Sequence, residues 1–128
     1  MQMKYTPCRI LVVDDQADTA ETFAYLLETF GHKVSFLTDS ADVLQAVAKL
    51  NPNIVFLDIG MPGLNGWQVA EALRCRHPYE DLRLIAITAY DAPEDFARSR
   101  AAGFDAHVPK PISLALIESI MKQFCRPE

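Results

Sequence analysis

Ile54-Val55-Phe56-Leu57-Asp58-Ile59-Gly60-Met61-Pro62-Gly63 is the stretch whose reading decides the fold. Four apolar residues in a row, two of them β-branched, follow Asn51-Pro52-Asn53 and end at a single carboxylate before a Gly/Pro turn. A short run without alternation reads as a strand buried on both faces, as in the middle of a parallel sheet. Asp58 then stands at the carboxyl end of that strand, the edge where open α/β sheets form their ligand crevice. An aspartate there also serves as ordinary turn chemistry, so its meaning depends on what the other strand ends carry.

Outward from this strand the pattern repeats. Arg9-Ile10-Leu11-Val12-Val13 is a short apolar run ending at Asp14-Asp15, and Ala20, Phe23, Ala24 and Leu27 follow at helical spacing up to Gly31. Val34-Ser35-Phe36-Leu37 reads as a second strand, and Val43, Leu44, Val47, Ala48 and Leu50 as the apolar face of a second helix closed by Asn51-Pro52-Asn53. Beyond the central strand come a turn rich in glycine and a third helix with Trp67, Val69, Ala70 and Leu73, ended by Pro78. Leu82 to Ile87 is a fourth strand, stopping at Thr88. Asp91-Ala92-Pro93 starts a fourth helix, with proline in the first turn where its missing N–H costs nothing; Phe96, Ala97 and Ala101 are its expected core face and Gly103 its end. Ala106-His107-Val108 is a fifth strand running into Pro109-Lys110-Pro111, and Ser113 opens a last helix striped by Leu116, Ile117, Ile120, Met121 and Phe124.

Five strands alternating with five helices through short connections predict a doubly wound (βα)5 α/β fold with a parallel five-stranded sheet. The chain of 128 residues fits one domain, residues 1–128, with no room for an output module. A net charge of −5 without clustered Lys and Arg argues against a nucleic-acid surface or an anionic membrane. No apolar run reaches the roughly 20 residues of a membrane span, and a signal peptide's apolar middle is missing. Cys8, Cys75 and Cys125 are odd in number and widely spaced, so neither a disulfide nor a zinc site is expected, and a reducing cytoplasm is the simpler setting.

The unusual polar residues fall at strand ends: Asp14 and Asp15, Asp58, Thr88 and Lys110. Parallel strands put all these ends on one edge, and in the flavodoxin-like order 2-1-3-4-5 the three carboxylates converge where the winding direction switches. Such a cluster repels itself and needs a cation. Mg²⁺ suits it, being hard, oxygen-seeking and content with a few carboxylates and displaceable waters. Lys110 and the Thr88 hydroxyl would supply a positive charge and a donor for a phosphoryl group. Each residue taken alone has a plainer reading, as helix cap, strand terminus or surface charge. Four strand ends carrying the right groups together make the plain reading of all of them much weaker.

With these residues in view, the chain resembles the receiver domains of two-component response regulators, the chemotaxis switch protein type. The acidic pair after Ile10-Leu11-Val12-Val13, the Asp-x-x-Met-Pro-x-x-x-Gly segment from Asp58 to Gly66, Thr88-Ala89 and Lys110-Pro111 stand in that family's order and spacing. The resemblance implies Asp58 as phosphoacceptor, Asp14, Asp15 and the Gly60 backbone carbonyl with Asp58 as the Mg²⁺ site, Thr88 as switch hydroxyl and Lys110 as phosphate-binding lysine. It also implies a cis Lys110-Pro111 bond, which proline's small trans preference permits. The switch position usually held by Tyr or Phe is His107 here. Gly60 and Tyr90, each two residues beyond a site residue, flank the line along which water would attack the phosphoryl group, an in-line displacement needing nucleophile and leaving oxygen on opposite sides.

The implied activity is Mg²⁺-dependent self-phosphorylation and autodephosphorylation, with a histidine kinase or phosphotransfer protein as donor and a downstream protein bound at the face from the fourth strand to the fifth helix. A homodimer is one option for the assembly. Gly60-Met61-Pro62-Gly63 and Gly103-Phe104-Asp105-Ala106-His107 resemble receivers attached to hybrid histidine kinases. A dehalogenase-like phosphatase would want Asp-x-Asp after the first strand, not the adjacent Asp14-Asp15 pair. A nucleotide- or flavin-binding domain would want a Gly- or Ser/Thr-rich first loop where Asp14-Asp15-Gln16 would repel phosphate. A receiver kept only as scaffold would usually have lost an acid or the lysine.

Overall fold

Alternation along the strands decides the layering. The computed structural model describes residues 8–61, 65–89 and 93–125. In β1 (Arg9–Val13), β3 (Ile54–Asp58) and β4 (Arg83–Thr88) successive side chains point to opposite faces, and both faces are apolar. Ile10, Val12, Ile54, Phe56, Ile85 and Ile87 form one core layer with α1 (Ala17–Thr29) and α5 (Leu114–Phe124). Leu11, Val13, Val55, Leu57, Leu84 and Ala86 form the other with α2 (Val43–Leu50), α3 (Gly66–Arg76) and α4 (Pro93–Ala102). Every residue of β3 is buried, which is why its sequence shows no polar alternation. Phe56 meets Phe23 of α1 edge-on, ring centroids 4.8 Å apart, in the first layer.

The sheet is parallel throughout, in the order β2-β1-β3-β4-β5, with β2 (Lys33–Leu37) and β5 (Ala106–Pro109) at its edges. The chain leaves β1 for one edge and β3 for the other, and α1 and α3 cover opposite faces. The crevice between the carboxyl ends of β1 and β3 is the switch point the sequence predicts. Its register is set by Val13 opposite Leu57, so Asp14 and Asp58 follow at neighbouring strand ends. Gly66, at the start of α3, has to be glycine: a Cβ there would stand 2.6 Å from Ile59 Cγ2. Asn51 ends α2 in the left-handed region at φ 50°, and the Ser113 side chain caps α5 by accepting from the Leu116 N–H.

Two expectations about helix faces are corrected. In α2, Val43 and Val47 are buried, but Ala48 and Leu50 face solvent. In α4, the predicted inward residues Phe96, Ala97 and Ala101 are exposed, and the helix instead turns Ser99 and Ala102 inward. Two alanines and one aromatic carry too little apolar area to fix the phase of a helix. Trp67 fixes it through a directional demand, because its indole N–H donates to Ser99 Oγ at 3.0 Å.

The cysteines depart furthest from the sequence reading. Cys8 and Cys125 are joined by a disulfide, with Cα atoms 6.7 Å apart across a sequence separation of 117, while Cys75 is free and exposed. Spacing along the chain carried no signal, because the crossovers of the fold bring the residue before β1 to the residue after α5. The expected cap at Asp91 and the turn at 62–64 lie outside the described residues.

Candidate functional site

Asp58 is held at the end of β3 with only 4% of its surface exposed. Its two oxygens have different partners: Oδ1 accepts the Gly60 N–H at 2.8 Å, and Oδ2 accepts from Lys110 Nζ at 2.8 Å. The first bond is turn chemistry and orients the carboxylate; the second crosses from the far end of β5. Lys110 is anchored beside β4 by its N–H, which donates to the Thr88 carbonyl at 2.9 Å, and the Lys110-Pro111 bond is cis, as the resemblance implies.

Asp14 is fully buried just beyond β1, its Oδ1 accepting the Gln16 N–H at 3.0 Å. Its Oδ2 has no hydrogen-bond partner among the described residues and stands 3.5 Å from Lys110 Nζ. Asp15, next in the chain, is exposed. Carboxylate oxygens of Asp14, Asp15 and Asp58 lie within 4.8 Å of one another. A buried carboxylate oxygen without a hydrogen bond, in a set of hard oxygen donors facing one lysine, fits a small divalent cation such as Mg²⁺. Burial pushes the Asp14 carboxyl above the usual range, and the neighbouring Asp58 charge adds to it, against the Gln16 N–H and Lys110. Desolvation is thus the larger cause, ahead of the mutual repulsion read from the sequence. For Lys110 burial pulls downward, but the hydrogen bond and charge of Asp58, helped by Asp14, win and hold the ammonium above its ordinary value.

Thr88 closes β4, 1% exposed, beside the Asp58 strand. Gly60 presents an exposed backbone at the mouth of the crevice. His107 lies in β5, away from the carboxylates, packed edge-on against Phe96 with centroids 4.4 Å apart. Its Nε2 is 3.2 Å from Ser99 Oγ, which also takes the Trp67 N–H. This chain of three polar groups joins β5, α4 and α3. Burial lowers the His107 pKa and the Asp95 charge partly restores it. Tyr90 lies outside the described residues.

Sequence reasoning missed Ser99, whose only signal is a small polar residue one helical turn before Ala102. It also missed the buried pair Arg74–Asp105, at 2.6 Å, for which the sequence offers no signal, since 31 positions separate the partners.

Residues 10–122 match the response regulator receiver domain family. Among curated proteins, a response regulator MprA from Mycobacterium sp. (strain KMS) is 33% identical over 120 residues, which cover 94% of this chain and 51% of that protein. Protein PilG of Pseudomonas aeruginosa is 30% identical over 113 residues, 88% of this chain and 84% of that one. The chain thus spans about half the length of the first of these relatives. Among solved structures, a CheY-like response regulator receiver domain protein from Methanospirillum hungatei JF-1 superposes with a TM-score of 0.83 at 27% identity, covering 93% of this chain and 94% of that one. The chemotaxis protein CheY4 of Vibrio cholerae shares the fold, with a TM-score of 0.84 at 20% identity over 93% of this chain and 99% of its own.

Proposed function

The chain belongs to the response regulator receiver domains of two-component signalling, and from that premise we propose that it accepts a phosphoryl group from a phosphohistidine onto Asp58 and thereby switches a protein-binding face. One observation carries this reading: a nearly buried carboxylate at the switch point, held by Lys110 at 2.8 Å and grouped with Asp14 and Asp15. In the transfer a carboxylate oxygen of Asp58 attacks phosphorus, the new P–O bond forms as the P–N bond breaks, and the departing imidazole takes the electron pair. The Gly60 N–H keeps the carboxylate aimed, and Lys110, already charged at neutral pH, moves its donors to the phosphoryl oxygens. Positioning and charge stabilisation do most of the work.

Asp14, Asp15, Asp58 and the Gly60 carbonyl would hold Mg²⁺, which when bound neutralises phosphoryl charge. Asp14 contributes the buried oxygen whose desolvation such an ion relieves. Thr88 and His107 are the switch residues in this reading. Phosphate charge at Asp58 biases two states of the β4 to α5 face, where Phe96 offers an apolar contact for a partner. Receivers of this family interact with histidine kinases or phosphotransfer proteins and with downstream targets. We place this one in the cytoplasm, and among the described residues no helix is long and apolar enough to cross a membrane. Gly60 and Tyr90 set the lifetime of the phosphorylated state, the first by offering no side chain to orient water and the second by covering the phosphoryl group.

Incubation with acetyl phosphate and Mg²⁺, followed by intact mass, tests the assignment. Wild type should gain one acid-stable, alkali-labile phosphoryl group, only when Mg²⁺ is present, and Asp58→Asn none. Labelling of the mutant equal to wild type would move the nucleophile elsewhere.

A further inference from the structure

The amino-terminal edge of the sheet, the pole opposite Asp58, carries a second group of reactive side chains. Cys8 precedes β1, His32 precedes β2 and Cys125 caps the end of α5, and ligand atoms of the three lie within 4.8 Å of one another. Both sulfurs are held in place by backbone. The Cys8 N–H donates to His32 Nδ1 at 3.1 Å and the Cys8 carbonyl accepts the Lys33 N–H at 3.0 Å, so the His32-Lys33 segment grips Cys8 on both sides. The Cys125 N–H donates to the Met121 carbonyl at 2.7 Å, which fixes the last turn of α5. The Cα separation of 6.7 Å is within the range a disulfide spans.

We propose that Cys8 and Cys125 are a thiol–disulfide exchange site, oxidised by a low-molecular-weight disulfide and reduced by a thiol, whose state sets how firmly α5 is fastened to β1. Cys8, 9% exposed against 2% for Cys125, is the sulfur that meets the reagent. Its thiolate attacks one sulfur of the external disulfide, a mixed disulfide forms and one thiolate leaves. The Cys125 thiolate then attacks the Cys8 sulfur and expels the second. Two thiols are oxidised to the protein disulfide, one external disulfide is reduced to two thiols, and the two protons pass to the departing thiolates. His32 acts as a positioning residue and not as the base, because its Nδ1 lone pair is taken by the Cys8 N–H and burial lowers the ring's affinity for a proton. The same bond is why a metal is not chosen as occupant: a ligating Nδ1 would have to give it up. A reversible pair also reconciles a disulfide with a reducing compartment, where the dithiol is the resting form. None of this depends on phosphorylation of Asp58.

Wild-type protein equilibrated with oxidised glutathione or with dithiothreitol, then denatured, alkylated with iodoacetamide and weighed intact, tests the proposal. The oxidised sample should take one label, at Cys75, and the reduced sample three. Reduction should lower Tm by roughly 10 °C, since the cross-link closes nearly the whole chain. It should also hasten amide exchange in the last turn of α5, about tenfold or more. Neither difference should survive in Cys125→Ser, and both should persist in Cys75→Ala. Three labels after oxidation, glutathione left on Cys8 or Cys125, or a Tm indifferent to reduction in wild type would each overturn the proposal. So would one equivalent of zinc retained by the reduced protein and blocking its oxidation, an outcome that would make the cluster a metal site.

Discussion

At the amino-terminal edge of the sheet one carboxylate, Asp105, meets Arg74 at 2.6 Å, Arg83 at 3.4 Å and the Leu84 N–H at 2.8 Å. At the carboxyl edge Asp14, Asp15 and Asp58 cluster, Lys110 pairs with only Asp14 and Asp58, and among the described residues a buried oxygen of Asp14 has no hydrogen bond. The first arrangement has more positive charge than negative and satisfies its buried groups; the second is deficient in both respects. Electrostatics optimised for folding look like Asp105. A deficit of positive charge at a switch point is tolerated where a ligand is to supply it.

The largest test of this contrast in stability is Asp105→Ala. It strands the Arg74 guanidinium, whose side chain is 9% exposed, and orphans the Leu84 N–H. Breaking a buried pair from one side costs about 3–5 kcal/mol, so chemical denaturation should show a loss of that size with Asp58 labelling intact in the folded fraction. A loss under about 1 kcal/mol, the worth of an exposed pair, would erase the distinction between the edges.

Next in size is the access position. Tyr90→Ala should shorten the life of the phosphorylated state about tenfold, equivalent to about 1.4 kcal/mol of barrier, measured as loss of label after removal of acetyl phosphate. Unchanged decay would remove Tyr90 from the site.

Asp14→Asn should act in the opposite sense to Asp105→Ala. Because burial raises the Asp14 pKa in the folded state, the native protein binds more protons than the unfolded chain between the two values, and stability falls as pH rises through that window. At neutral pH the mutant without metal should therefore melt no lower than wild type. The gap should close as pH drops below the raised value, and Mg²⁺ should stabilise wild type but not the mutant. Clear destabilisation at neutral pH would make Asp14 a structural cap after all.

The smallest effect belongs to His107. Its pKa is lowered by burial, so the unfolded state binds the extra proton first and stability is lost as pH falls below the ordinary histidine value. His107→Phe should flatten the decline of Tm between pH 7 and 5.5, with a residue of slope left by His32, whose pKa burial also lowers. An unchanged slope would mean that His107 is protonated in the folded protein as readily as in the unfolded one.

What was legible in the sequence was whatever a local pattern records. The fully apolar Ile54 to Leu57 run gave a central strand, and Asp58 followed from where that run stops. The alternation of runs and helical stripes determined a parallel sheet, and with it the single edge that gathers Asp14, Asp15, Asp58, Thr88 and Lys110. The cis bond before Pro111 came from the family resemblance and not from a local pattern. Where the local pattern was thin, it misled: Phe96, Ala97 and Ala101 suggested a core face for α4, but Ser99 faces inward because Trp67, from another helix, needs an acceptor.

Only the tertiary structure decided the pairings between distant elements. Arg74 with Asp105, His107 with Ser99 and Trp67, and Cys8 with Cys125 are all made by packing α-helices over a sheet after the strands have taken their order. Periodicity states which face of an element is apolar. It is silent about which polar atom on a neighbouring element will lie within 3 Å, because that distance depends on crossover geometry, helix phase and side-chain reach together. The amino acids alone determined the edge on which chemistry is concentrated; the folded chain decided that the opposite edge is closed by an arginine–aspartate pair and a pair of sulfurs.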